Sequence, residues 1–386
     1  MRVLPEVDQS ERMRFVERQR PLAGANPTRD AQRFHQRLEG YAPTRLIDAP
    51  GIAAELGLSR LWVKDESSRF GLPAFKIMGA SWAVFNAASQ ALLERTGQST
   101  REWSSIAELA EHFAPLRPLT LTCATDGNHG RAVARMAALL GFSSRIIVPA
   151  DMAKSRIDAI ASEGAEIVIH DGSYDEAVAR SASDAKPGEL VISDTSWPGY
   201  EDVPGWVIAG YSTMLWEVDD ELTRLSQPGP DLVAVQIGVG AFAAAVINHY
   251  RRPGVAPEPF ILGVEPTHAA CAIASIEACE IVEIPGPHDS IMSGLNCGVP
   301  SPLAWPIVSR GADAFIAIED ERTRVAMRLL SSEGIVAGEC GAAGLGGLIA
   351  WRDAFGGNLA DKCALIISTE GATDPGAYTR ILAGGA

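Results

Sequence analysis

The chain has 386 residues, 47% of them hydrophobic and 21% charged, with 37 glycines and 24 prolines. That length allows two or three domains, or two lobes, and the composition excludes disordered and collagen-like classes. A formal net charge of −15 repels nucleic acid and anionic membrane at long range, so neither is expected as a partner, and an anion must bind through local donors.

The charged N-terminus MRVLPEVDQSERMRFVERQR has no signal-like apolar stretch and no run approaches a membrane span, so a cytoplasmic location is expected. Six scattered cysteines without C-x-x-C pairs or nearby histidines indicate no zinc site and no disulfide framework. Residues up to about Glu39 carry no clear period and read only as an arm or a partner-contacting segment.

From Leu61 onward, β-branched runs alternate with Ala-rich stretches at helical spacing. LWV (Leu61 to Val63) precedes a helix from about Ile77, and LTLTC (Leu119 to Cys123) precedes a helix after Asn128. RIIVP (Arg145 to Pro149), EIVIH (Glu166 to His170) and ELVIS (Glu189 to Ser193) follow. LVAVQ (Leu232 to Gln236), FILGV (Phe260 to Val264), AFIAI (Ala314 to Ile318) and CALIIS (Cys363 to Ser368) continue the pattern. Strands and helices in alternation predict an α/β protein with mostly parallel sheets flanked by helices. Nine strands exceed one small sheet, and the Pro/Gly-rich stretch Trp197 to Trp206 reads as a crossing between lobes. A small domain is therefore expected over 80–205, with 1–79 and 206–386 forming the large one. The polar insert Thr96 to Pro118 reads as a surface helix.

Four segments carry candidate chemistry. Lys76 follows the apolar Pro-Ala-Phe of RFGLPAFKIMGAS and is one of only five lysines. Desolvation there would lower its pKa, as imine formation and base catalysis require; the plainer reading is a solvated lysine in a first helical turn. ATDGNHG (Ala124 to Gly130) lies between a strand and a helix, where α/β sheets bind ligands; the plainer reading is a helix-capping turn. GVGAFA (Gly238 to Ala243) places glycines and free N–H groups at a helix start, as a phosphate cradle does. With Glu265 ending the next strand, it also partly matches a dinucleotide pattern, weakly. ISTEGATDP (Ile367 to Pro375) puts Ser368 and Thr369 at a strand's carboxyl end, where a hydroxyl could pair with a ring nitrogen or simply end the strand. Cys271 and Cys297 could lie near one another, most simply as two buried thiols.

In this order the motifs resemble the fold-type II pyridoxal-phosphate enzymes, which include serine and threonine dehydratases, cysteine synthases and the tryptophan synthase β chain. KDESSRFGLPAFK, ATDGNHG, GVGAFA, GVEP, SIMSGLNCGVPSPLAW and STEGATDP occur in a succession similar to that of the diaminopropionate ammonia-lyases, over roughly Phe34 to Asp374. The resemblance implies two lobes with the active site between them, and pyridoxal 5′-phosphate as cofactor. It implies that Lys76 is the Schiff-base lysine, with Phe75 beside the cofactor and Asn128 on the pyridoxal 3′-oxygen. Gly238, Val239, Gly240 and Ala241 would wrap the phosphate, and Ser368 or Thr369 would meet the ring nitrogen. Asp126 would be the second acid/base, and Thr125, Asp126, Gly127, Asn128 and His129 the place where the substrate carboxylate docks. A homodimer is implied as well. Ala372, where an Asp is common, and Cys340, where a Ser is common, depart from the pattern.

The implied reaction is elimination from 2,3-diaminopropionate, D or L, to pyruvate and two ammonia. A serine, threonine or hydroxyaspartate dehydratase is the nearest alternative. A non-catalytic pyridoxal-phosphate-binding protein and a nicotinamide dehydrogenase stand further off.

Overall fold

A computed structural model describes residues 1–6, 8–18, 26–125, 127–150, 152–172, 174–184 and 186–385. In chain order the strands are β1 (Arg2–Val3), β2 (Arg12–Phe15), β3 (Leu46–Asp48) and β4 (Arg60–Asp65). β5 (Thr120–Ala124), β6 (Ser143–Pro149), β7 (Glu166–His170) and β8 (Glu189–Val191) follow. β9 (Leu232–Gln236), β10 (Phe260–Pro266), β11 (Val282–Glu283), β12 (Ala314–Ile318) and β13 (Cys363–Ser368) complete the series.

The chain divides into two compact units, 1–27 with 43–75 and 214–386, and 28–42 with 76–213. In the first unit a seven-stranded sheet runs β2-β12-β10-β9-β13-β4-β3. Its five inner strands are parallel, and the edge strands β2 and β3 pair antiparallel. Every residue of β9, β12 and β13 is buried, as continuous β-branched runs covered on both faces should be. The helix Glu339–Phe355 (ECGAAGLGGLIAWRDAF) belongs to the same core as β9 and β13, and its small residues let it lie close to the sheet.

In the second unit four parallel strands run β7-β6-β5-β8. The helix Asn128–Leu140 buries Ala132, Val133, Met136, Ala137 and Leu140. It ends on Gly141 in the left-handed conformation, a common helix stop.

The compact units divide at 75/76 and 213/214, against the expected 79/80 and 205/206; the second division lies within the helix Asp202–Arg224, which runs on past the Pro/Gly-rich stretch. Residues 28–42 belong to the second unit. Buried His35 explains why: its Nδ1 lies 2.8 Å from the Thr213 hydroxyl and its Nε2 3.0 Å from the Met78 carbonyl. Part of the unassigned N-terminal segment is regular structure, with β2 extending the large sheet and β1 pairing with β11. The insert before β5 forms the short helix Ile106–His112, yet Trp103, Leu109 and Phe113 are buried, so only one side of it meets water. Among the described residues no helix is long and apolar enough to cross a membrane.

Candidate active site

In the second unit, parallel β5 and β8 are neighbours, so their carboxyl ends release two loops side by side. The β5 loop begins at Thr125, whose buried hydroxyl accepts from the N–H groups of Gly127 and Gly130, each at 3.0 Å. Thr125 thus caps the helix opened by half-buried Asn128. The His129 ring is buried, and its Nε2 lies 2.7 Å from the Ile192 carbonyl. Burial lowers the His129 pKa, with Asp194 opposing. The neutral ring therefore pins the β5 loop to the segment after β8. Asp126 lies outside the described residues.

The β8 loop carries Asp194. Its carboxylate lies 2.6 Å from the ammonium of Lys76, the first residue of the helix Lys76–Thr96. The apolar surroundings expected for this ammonium are not what it meets, because Asp194 comes from 118 residues away. Asp194 is 4% exposed, and its charge helps to raise the pKa of Cys123, which burial already pushes up. The buried Tyr211 ring packs on Gly79, in the first turn of the helix that Lys76 begins. The pKa of its hydroxyl is pushed well above the ordinary range by burial, against the pull of Lys76. Gly210, just before it, is where two helices touch: a Cβ there would stand 2.4 Å from the Met78 carbonyl oxygen.

In the first unit, the segment from β4 to Phe75 is fastened at both ends. Near its start, Lys64, Glu66, Arg69 and Glu217 form a buried ion cluster. Lys64 meets Glu217 at 2.6 Å, and Arg69 pairs with Glu66 and Glu217, each at 2.7 Å. Arg69 and Leu72 then exchange backbone hydrogen bonds across Phe70 and Gly71, both at positive φ, as in a tight hairpin turn. At its far end the Phe75 N–H donates to the Thr369 carbonyl at 3.0 Å, and the Phe75 ring lies 4.8 Å from that of Phe242.

The turn after β9 runs through Gly238, Val239 and Gly240 into the helix Ala241–Tyr250. No acceptor among the described residues takes the N–H groups of Val239, Gly240 or Ala241, although all three residues are buried. Buried amides left over at a helix start make an anion site. Gly238 is required by close approach, since a Cβ would lie 3.1 Å from the Gly294 carbonyl and 3.2 Å from the Cys297 sulfur. Cys271 and Cys297 are buried free thiols, and Cys271 lies 3.8 Å from the Gly238 carbonyl.

At the carboxyl end of β13, Ser368 and Thr369 are buried. The Gln236 amide donates to the Thr369 hydroxyl at 2.9 Å and to the Ile367 and Cys340 carbonyls, which leaves the Thr369 proton free to point elsewhere. Glu265 takes no part in such a site. Its fully buried carboxylate accepts from Ala272 N at 2.7 Å and Ile273 N at 2.9 Å, which excludes a ribose-binding role and removes the basis of the dehydrogenase alternative.

Sequence reasoning missed Asp194, Tyr211 and Gln236. For Asp194 a signal existed: it follows a predicted strand, the same placement that singled out ATDGNHG.

The family described as pyridoxal-phosphate dependent enzyme matches residues 37–369. Diaminopropionate ammonia-lyase of Escherichia coli (strain K12) is 35% identical over 378 residues, covering 94% of this chain and 92% of that protein. An L-threonine dehydratase of Mycobacterium leprae is 29% identical over 236 residues, 59% of this chain and 52% of that protein. The crystal structure of the Escherichia coli diaminopropionate ammonia lyase in complex with D-serine has a TM-score of 0.83 at 33% identity, covering 97% of this chain and 98% of that one. The chain belongs to the pyridoxal-phosphate-dependent enzyme family, in its fold-type II branch, as a lyase homologous to the diaminopropionate ammonia-lyases.

Proposed function

We propose that this enzyme eliminates the β-amine of 2,3-diaminopropionate, D or L, giving pyruvate and two ammonia. The observation that carries this reading is the extent of the likeness: it spans 94% of the chain for the Escherichia coli ammonia-lyase but 59% for the Mycobacterium leprae dehydratase.

The residues present fit the cofactor. The three buried amides of Val239, Gly240 and Ala241, with Gly238 before them, suit a phosphate that an acidic chain must hold by local donors. Ser368 or Thr369 offers a hydroxyl to the ring nitrogen, Asn128 an amide to the 3′-oxygen, and Phe75 an apolar wall. Bound pyridoxal phosphate supplies the electron sink that makes the α proton and then the β substituent labile.

The chain's own work is proton handling and orientation. Lys76 carries the cofactor and, once released, takes the α proton of one isomer at Nζ. Asp126 is the second acid/base, acting from the opposite side on the other isomer and keeping the departing nitrogen protonated. The D-serine bound in the Escherichia coli relative supports acceptance of the D configuration. The backbone from Thr125 to His129 receives the substrate carboxylate. With the amides of Gly127 and Gly130 given to Thr125, docking falls to the rest of the loop. The same reading takes the enzyme as a cytoplasmic homodimer.

The test is to measure pyruvate and ammonia from DL-diaminopropionate beside L-serine and L-threonine. Two ammonia per pyruvate with preference for the diamine is the expected result; preference for the hydroxy amino acids would replace this reading with a dehydratase.

A further inference from the structure

We propose that Asp194, with the Tyr211 hydroxyl, is the receptor for the substrate's β-ammonium group, and that Lys76 fills this receptor with its own ammonium until the cofactor takes that nitrogen. The inference rests on the diamine reading above and adds a specificity-determining carboxylate to it.

Asp194 is buried. A carboxylate this buried is costly unless a cation or strong donors face it. Here a primary ammonium lies 2.6 Å away, and the Tyr211 phenol, packed on Gly79 in the turn that Lys76 begins, feels the charge of the same ammonium. All three groups come from one compact unit: Asp194 from the loop after β8, Lys76 from the start of one helix, and Tyr211 from another. Their geometry is that of a small ammonium pocket.

In the working enzyme Lys76 has other tasks. It is bound through its nitrogen or acts as a neutral base, and in neither role does it present a free ammonium to Asp194. The carboxylate then loses the ammonium that faces it here, and a cation of the same size can take that place. The β-ammonium of 2,3-diaminopropionate is a primary ammonium like that of lysine, whereas the β-hydroxyl of serine brings no charge. A buried group left without its partner discriminates strongly against the substrate that cannot supply it.

The contact also serves the departure. An opposing carboxylate favours the charged form of an amine, so the β-nitrogen stays as ammonium. When the Cβ–N bond breaks, its electron pair goes to nitrogen and neutral ammonia leaves with the three protons it already carries. No further proton is needed at that instant, so Asp194 takes over from Asp126 the task of keeping the departing nitrogen protonated, and Asp126 is left to act at the α carbon.

The experiment compares the pyridoxal-phosphate-loaded wild type with Asp194→Asn and Asp194→Glu. It measures kcat/KM for 2,3-diaminopropionate, and kcat/KM or the inhibition constant for serine. In Asp194→Asn, kcat/KM for the diamine should fall on the order of 100-fold, as for a buried charge pair. Serine should be affected at least about tenfold less, and Asp194→Glu should restore part of the preference. Equal losses on both substrates with the cofactor band intact would make Asp194 a positioning residue for Lys76 and overturn the proposal, as would an unchanged ratio. If the Asp194 variants do not fold, two other measurements decide. Tyr211→Phe should shift the ratio in the same direction, and in the wild type KM for the diamine alone should rise as pH strips its β-ammonium; absence of both shifts would overturn the proposal. A wild type that prefers serine would instead defeat the diamine reading itself.

Discussion

The ammonium of Lys64 lies 2.6 Å from a carboxylate oxygen of Glu217, and both side chains are 1% exposed. Arg69 closes the group, donating to Glu217 and Glu66. Four charges are thus withdrawn from water and set against one another, with Thr44 completing the cluster. Breaking such a cluster from one side strands a buried cation, which costs roughly 3–5 kcal/mol. Glu217→Gln should therefore lower the denaturant midpoint by that equivalent without changing m. The pH dependence has a defined sign. Burial pushes the Glu217 pKa up, but Lys64 and Arg69 outweigh it and hold the carboxyl below its usual 4.5. Its contribution is full above that value and is lost as pH falls through the depressed one. The Gln variant should lack this part of the acid limb.

Glu265 works in the opposite direction. Burial pushes its pKa up to about 7, against the two amides that hold its charged form. A carboxyl raised in this way favours the folded state at low pH, and the advantage is lost as pH rises from about 4.5 through about 7. Glu265→Gln replaces one acceptor with a donor facing an N–H group, so overall stability should drop. The slope of stability between those two pH values should flatten at the same time. Unfolding curves across that range check both; an unchanged slope would count against the assignment.

Much of the fold could be read from runs such as LVAVQ and CALIIS, because strands buried on both faces need no partner information to be recognised. β2 escaped for the converse reason: Arg12–Phe15 (RMRF) has no apolar alternation, and it is a strand only because β12, some 300 residues later, offers an edge. The site divides in the same way. Lys76, the turn at Gly238 and the hydroxyls at Ser368 and Thr369 sit in local motifs. The ion cluster around Glu217 and the carboxylate of Asp194 depend on contacts across more than a hundred residues. No window of sequence contains both partners.

Gly210 tests how tightly the helix behind Lys76 is held. In an exposed helix, Gly to Ala would stabilise by about 1 kcal/mol. Here the added carbon would lie 2.4 Å from the Met78 carbonyl oxygen and 2.8 Å from the Gly79 Cα. Both are backbone atoms that cannot rotate away, so overpacking of roughly 1–3 kcal/mol should win. Gly210→Ala should melt at a lower temperature than the wild type; a higher one would show that the two helices part easily.

Gly238→Ala separates cofactor retention from folding. Its Cβ would press on the Gly294 carbonyl at 3.1 Å and on the Cys297 sulfur at 3.2 Å. Those distances are tight rather than impossible, so a shift of a few tenths of an ångström should admit the methyl and the fold should survive. The turn that aims the Val239, Gly240 and Ala241 amides would move with it. Anion binding by aligned amides depends on that aim, and losing one charge-assisted hydrogen bond weakens binding by roughly tenfold or more. Titration of the apo-protein with pyridoxal phosphate, followed by the visible band, should give a Kd raised by at least about tenfold. Inorganic phosphate should compete less well by a similar factor. An unchanged Kd for both anions would mean that the phosphate is held elsewhere, and that the unpartnered amides of this turn have some other occupant.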